Sequence, residues 1–290
     1  MIKKLFSFVK IEHTLFSLPV IYSGMALALR VQHEQGEAVA AWQELLAKGA
    51  LILVAATGAR TVGFALNRII DRKIDAKNPR TAMRDLPSGR MSMNEALAVL
   101  ATGVVVYLVA AAMLNPLCLM LSPIPLMVFV GYPWLKRWTS LAHFGIGLSL
   151  ALGPLGAFLA IRPNMHGALP AILLSLFTWM WVSGFDIIYS TADEAFDRSE
   201  GLYSLPASLG TRRALTISAV IHVIGFALLA GLYYSSFRGS MLALTLLGVC
   251  GALLYLEQRK ATDIELAFFK INAVLGFFVL AFVLAGVQFA

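Results

Sequence analysis

The chain predicts an all-α, multispanning membrane protein with nine transmembrane helices around a central cavity open to the cytoplasmic side. Three observations carry that expectation. Of 290 residues, 59% are hydrophobic and 13% charged, with a mean hydropathy of +0.78, whereas soluble domains are about 45–50% apolar and about 25% charged. The apolar residues fall into runs of roughly the 20 residues that a helix needs to cross a bilayer. The basic residues are sorted by side, 17 of the 23 Lys and Arg lying in the amino tail and in alternate loops.

The spans are expected at 13–31, 45–66, 93–115, 117–133, 139–161, 168–190, 212–234, 239–256 and 265–288. The first follows Lys3, Lys4, Lys10 and Glu12 without a small-residue cleavage site, so no removable signal is expected. The second ends in an acidic patch, and a basic loop separates it from the third. Pro116, Pro123, Pro125 and Pro133 punctuate the fourth, which should be broken or tilted. An aromatic and basic loop leads into the fifth, and the sixth carries Asp186 behind Trp179, Trp181 and Phe185. The last three are apolar almost throughout. The excess of Lys and Arg places the amino terminus and the even-numbered loops in the cytoplasm and the carboxyl terminus opposite, with Arg30, Lys48, Arg162 and Arg238 on the far side. No linker divides the chain, so residues 1–290 are expected to form a single domain. Cys118 and Cys250 read as packing residues, and the five scattered histidines show no metal-ligand spacing. A formal charge of +7 spread over short loops argues for topology and not for nucleic acid.

Two acidic patches interrupt the apolar pattern. Asn67, Asp71 and Asp75 step by four, with Arg60 seven earlier, so one helical face carries a cation, an amide and two carboxylates. Asp186, Tyr189, Asp193 and Asp197 stand at offsets of 0, 3, 7 and 11, again one stripe, while Glu194 and Glu200 point elsewhere, toward solvent. Topology puts both patches on one side of the membrane. Taken singly, the first patch also fits a solvated helix end paired with Arg68, Arg72 and Lys73, and Asp186 fits a buried carboxylate satisfied by an Arg or a backbone donor. Taken together, converging carboxylates would repel one another, and Mg²⁺, which binds a few carboxylates plus substrate phosphates, removes the repulsion.

The segment from Asn67 to Arg90 adds seven basic residues against three aspartates, a local charge of +4 suited to a diphosphate. Lys136 and Arg137 sit among Tyr132, Trp134 and Trp138, where they fit either a carboxylate clamp or an interfacial belt with snorkelling cations. A secondary transporter coupled to protons or cations through intramembrane carboxylates also fits acidic helices.

These motifs resemble the UbiA superfamily of intramembrane prenyltransferases, whose first motif reads N-D-x-x-D-x-x-x-D and second D-x-x-Y-x-x-x-D-x-x-x-D. Arg80-Thr81, Arg84 and Leu86-Pro87-Ser88-Gly89 resemble the family's R-T-x-x-R-P-L-P-S-G loop. Tyr132-Pro133 with Lys136-Arg137 and Thr139 resembles the Y-P-x-x-K-R-x-T stretch of the 4-hydroxybenzoate polyprenyltransferase branch. Arg68 replaces the aspartate that usually follows the asparagine, and Asp85 replaces a proline. That variant is similar to the branch associated with menaquinone made by way of futalosine, which prenylates a dihydroxynaphthoate.

The resemblance implies a multi-pass enzyme of a bacterial inner (plasma) membrane. With Mg²⁺ it would move a polyprenyl group from polyprenyl diphosphate to a ring carbon of a hydroxylated aromatic carboxylic acid, of 4-hydroxybenzoate or dihydroxynaphthoate type, in ubiquinone or menaquinone biosynthesis. It implies that Asp71, Asp75, Asp193 and Asp197 hold the metal and carry catalysis, Asp193 also drawing the phenolic proton. Asn67, Arg60, Arg72, Lys73, Arg80, Arg84, Lys136, Arg137, Asp186 and Tyr189 would bind substrates, with Arg137 on the acceptor's carboxylate. The loops after spans two and six should fold into a cap that keeps water from an allylic cation, and the isoprenoid tail should run between helices toward membrane lipid.

Overall fold

The computed structural model describes residues 14–264 and 266–289, so the basic amino-terminal residues lie outside the described residues. Every regular element among the described residues is helical. The long helices are α1 (Thr14–Glu34), α2 (Trp42–Ile70), α4 (Met93–Leu114), α6 (Pro123–Leu135), α7 (Ala142–Ile161), α8 (Leu169–Ser190), α11 (Thr211–Leu232), α12 (Met241–Arg259) and α13 (Asn272–Phe289). Short helices α3 (Arg72–Lys77), α5 (Pro116–Leu121), α9 (Glu194–Ser199) and α10 (Leu205–Leu209) lie between them.

A helix thus stands at each of the nine expected stretches. Among the described residues seven stretches are long and apolar enough to cross a membrane, the fourth of the nine being α5 and α6 taken together, with α1 and the shorter α13 outside that set. Outward-facing Val105, Val109, Met113, Val220, Val223 and Met241 are exposed, the apolar exterior that lipid covers and water does not.

Local chemistry sets the boundaries. Ser92 accepts from the Glu95 N–H at 3.2 Å while the Glu95 carboxylate accepts from the Ser92 N–H at 2.7 Å, a reciprocal cap that starts α4. The fourth span is broken, as its prolines predict. Asn115 caps α5 through the Cys118 N–H at 2.9 Å and donates to the Leu159 carbonyl of α7 at 2.9 Å. Pro116 and Pro123 each open a helix, where a missing N–H costs nothing.

Helix α2 packs on α4 and α6, α7 on α6, α8 and α1, α8 on α11, and α13 on α12 and α1. The α2–α4 approach is close because Gly58 faces the backbone of Tyr107, which a Cβ would meet at 2.8 Å. Phe158, Phe177, Trp181, Phe237 and Phe282 fill the core. A buried polar chain threads its carboxyl-terminal half: Trp181 Nε1 donates to Asn272 Oδ1 at 2.6 Å, and Asn272 Nδ2 donates to Glu257 Oε1 at 3.0 Å. At the end remote from the patches, buried Arg162 pairs with Glu37 at 2.9 Å and draws its carboxyl below the usual glutamate range.

Helices α1, α2 and α4–α8 enclose a cavity of about 400 Å³. Its walls are apolar, with Ile52, Tyr107, Leu114, Ile124 and Phe129 among them. Arg60, Asn67, Tyr132 and Asp186 supply polar groups on the same walls, and two of these belong to the acidic patches.

Candidate active site

The first patch keeps its helical step across a joint. Helix α2 stops at Ile70, yet the Asp71 N–H donates to the Asn67 carbonyl at 2.9 Å and the Asp75 N–H to the Asp71 carbonyl at 2.8 Å. Asn67 Nδ2 also donates to Asp71 Oδ2 at 3.3 Å. Asp71 is almost wholly buried and pairs with Lys136 at 2.5 Å and Arg137 at 3.2 Å. Burial pushes its carboxyl up from the ordinary value, and the two cations offset that only in part. Asp75, equally buried, takes both its hydrogen bonds from Arg84 Nη1, at 2.8 and 2.9 Å.

The second patch crosses a joint of its own. After Ser190 the chain tightens into a 3₁₀ turn, Thr191–Asp193, before α9. Such a turn advances about 120° per residue where an α-helix advances about 100°, so the stripe bends there, while Arg80 still bridges Tyr189 and Asp193 on it. Asp186 remains on the cavity wall. Asp193 instead meets the loop that follows the first patch: Asn78 Nδ2 donates to it at 2.8 Å, Arg80 Nε at 2.8 Å, and Arg80 Nη2 closes the fork.

The two loops therefore meet. Arg80 also donates to the Tyr189 hydroxyl and lies over its ring, 4.5 Å from the centroid. Burial disfavours its charge, but Asp193 and Tyr189 prevail and its pKa is raised. Lys77 pairs with Glu200 at 2.5 Å, and the Tyr203 N–H donates to the Lys136 carbonyl at 2.7 Å, which brings in the loop between α6 and α7. Asp197 lies in the electrostatic field of Asp193, Lys136 and His143. Lys136 thus bonds the first patch and lies within electrostatic reach of the second. Glu200 is exposed, as expected, whereas Glu194 is half-buried and accepts from the Thr211 N–H at 3.1 Å, which caps α11.

The profile of the UbiA prenyltransferase family matches residues 17–286. The chain belongs to the UbiA prenyltransferase family. A UbiA homolog from Aeropyrum pernix K1, solved in the apo state, is 34% identical and superimposes with a TM-score of 0.80 over 95% of this chain and 97% of that one. A UbiA homolog from Archaeoglobus fulgidus, solved with GPP and Mg²⁺, is 18% identical with a TM-score of 0.71, a likeness of fold. The 4-hydroxybenzoate octaprenyltransferase of Aliivibrio fischeri strain MJ11 is 32% identical over 183 residues, 60% of this chain and 63% of that protein. The chain therefore spans just under two thirds of that curated relative's length.

Within this UbiA fold the expected residues divide. Asp71, Asp75, Asp193, Asn67, Arg80, Arg84, Lys136 and Tyr189 belong to the linked cluster, with Asp197 at its edge. Arg60 and Asp186 face the cavity. Arg72 and Lys73 are exposed on α3. Arg137 is committed to the protein: it donates to the Pro133 carbonyl at 2.9 Å and the Ile70 carbonyl at 3.1 Å, and stacks over Trp134. Two members went unnoticed in the sequence. Asn78 extends the step of Asn67, Asp71 and Asp75 by one further turn and was findable; His143, 2.7 Å from Asp186, is a lone histidine with no spacing to announce it.

Among the described residues no three Asp, Glu, His or Cys groups stand together as a ready metal site. The donor chemistry nevertheless fits Mg²⁺, because Asp71, Asp75, Asp193 and Asp197 are hard oxygen donors and each lies near another carboxylate of its own patch.

Proposed function

We propose that this chain transfers a polyprenyl group from polyprenyl diphosphate to a ring carbon of a hydroxylated aromatic carboxylic acid and releases diphosphate. The carrying observation is that two acidic patches and a shared set of cations meet where an apolar cavity ends in Arg60, Asn67 and Asp186. A charged head fits the cluster and a lipid tail fits the cavity.

Asp71, Asp75, Asp193 and Asp197 would hold Mg²⁺, which when bound supplies Lewis acidity toward the diphosphate. Arg80, Arg84 and Lys136 then exchange carboxylate oxygens for phosphate oxygens and balance the leaving group. The allylic C–O bond breaks, a ring carbon ortho to the acceptor's hydroxyl forms the new C–C bond, and the ring proton passes to the departed diphosphate as aromaticity returns. The capping loops joined by Asn78, Arg80 and Lys77 keep water from the allylic carbon. Arg60 and Asn67 take the acceptor's carboxylate, a role that passes from Arg137 because that guanidinium is already bound to Pro133, Ile70 and Asp71. Asp186 accepts from the acceptor's hydroxyl, which leaves Asp193 to the metal.

The acceptor is of 4-hydroxybenzoate or dihydroxynaphthoate type: the curated relatives bear the first name, and Arg68 and Asp85 are the variants that resemble the menaquinone branch. The protein would act as a single domain in a bacterial inner membrane with its amino terminus and catalytic cluster cytoplasmic and nine spans. Purified protein supplied with Mg²⁺, a labelled polyprenyl diphosphate and a panel of hydroxylated aromatic acids should yield prenylated acids by mass. Flux of substrate across liposomes without covalent product would replace this reading with transport.

A further inference from the structure

We infer that His143 is a positioning residue that aims the Asp186 carboxylate into the cavity, and that the capping segment sets it through the backbone of Leu205. His143 opens α7 and is buried. Its Nδ1 lies 2.7 Å from Asp186 Oδ2, and the Leu205 N–H meets its Nε2 at 3.3 Å. A backbone N–H only donates. Nε2 is therefore the acceptor, the ring carries its proton on Nδ1, and that proton is directed at Asp186.

The arrangement fixes more than a side chain. Oδ2 of Asp186 is held by the ring, and the carboxylate, 20% exposed, opens onto the cavity where Asp186 is part of the wall. Leu205 is the first residue of α10, at the end of the segment that carries Asp193 and Asp197. Seating that segment supplies the partner for Nε2, which fixes the tautomer, which fixes the Asp186 rotamer. Asp197 lies within electrostatic reach of both His143 and Lys136. A hydrophobic side chain of similar size would fill the space, but it would leave Asp186 free to turn and unconnected to the cap.

The kinetic part of this inference rests on the proposed transfer reaction, whereas the hydrogen-bond part does not, so the two fail separately. The test uses full-length purified protein in wild-type, His143→Leu and His143→Asn forms, the last placing an amide N–H where Nδ1–H stood. Steady-state transfer gives KM for the aromatic acid and for the polyprenyl diphosphate. Spectra of ¹⁵N-histidine protein, assigned by the signal missing in His143→Asn, give the tautomer. His143→Leu should raise KM for the acid about tenfold with the donor's KM within about twofold, and His143→Asn should recover most of the loss. The His143 signals should show a protonated Nδ1 and a bare Nε2. Equal losses in both variants, or a ring protonated at Nε2, would overturn the inference. Wild-type protein that prenylates no aromatic acid would refute the transfer reading, and the nitrogen signals would then decide the His143–Asp186 arrangement alone.

Discussion

Asn78 Nδ2 donates to Asp193 Oδ1 across 2.8 Å, and this bond ties the turn that follows the first aspartate patch to the 3₁₀ turn of the second. Asn78 is itself buried, so the amide has no water to fall back on. Asn78→Ala should lower prenyl transfer about tenfold, mostly through the polyprenyl diphosphate, because Asp193 loses a fixed orientation. Kinetics showing the acceptor's KM alone altered would place the bond outside the diphosphate site.

Asp71→Ala and Asp193→Ala should each reduce turnover by about 10³-fold or more, as removal of charge stabilisation at a transition state does. Both variants should still insert in membranes and elute as folded protein from a sizing column. Near-normal turnover in either would remove that residue from the metal set.

Arg60 and Arg137 make opposite predictions. Arg60→Ala should raise KM for the aromatic acid well above any change for the donor, since Arg60 lies on the cavity wall. Arg137→Ala should instead lower thermal stability, because its guanidinium joins the end of α6 to the end of α2. An acceptor-specific KM effect in Arg137→Ala with unchanged stability would restore it as the carboxylate clamp.

Gly156 lines the cavity, and a Cβ there meets no atom within 4 Å. Gly156→Phe should therefore fill the tail space without disturbing the backbone. Product masses across donors of increasing length should show short chains accepted and long chains lost. A uniform loss at every length would mean the tail lies elsewhere.

Asn272→Leu should cost about 3 kcal/mol, because it strips partners from the buried Trp181 N–H and from Glu257 at once. Glu257→Gln retains an oxygen toward Asn272 and should change stability by less than about 1 kcal/mol. Thermal unfolding in detergent separates the two.

Much of the architecture was readable from apolar length alone, including the break at Pro116 and Pro123, because membrane spans are written into local composition. The first patch was readable for a similar reason: Asn67, Asp71 and Asp75 keep helical spacing through the Asp71 joint. Periodicity gave no warning of the bend at Thr191–Asp193, where the chain changes helix type without a Gly or Pro to mark it. The contacts of Arg137 were not readable, because its residue type and neighbours suit a substrate clamp and a structural tie equally well. Only coordinates reveal that three oxygens of the protein already hold it. His143 could not be found at all, since its partners Asp186 and Leu205 lie 43 and 62 residues away.

Asp71, Asp75 and Asp193 each rest against a basic side chain, Lys136, Arg84 and Arg80 respectively. The protein is thus its own counterion. A divalent ion that claims one of these carboxylates must evict an ammonium or guanidinium, and the evicted group is then at liberty to grip phosphate. Metal and diphosphate should accordingly recruit one another, each tightening the other's hold by the same factor, so that neither associates well in isolation and the allylic bond is strained toward rupture only when both have arrived.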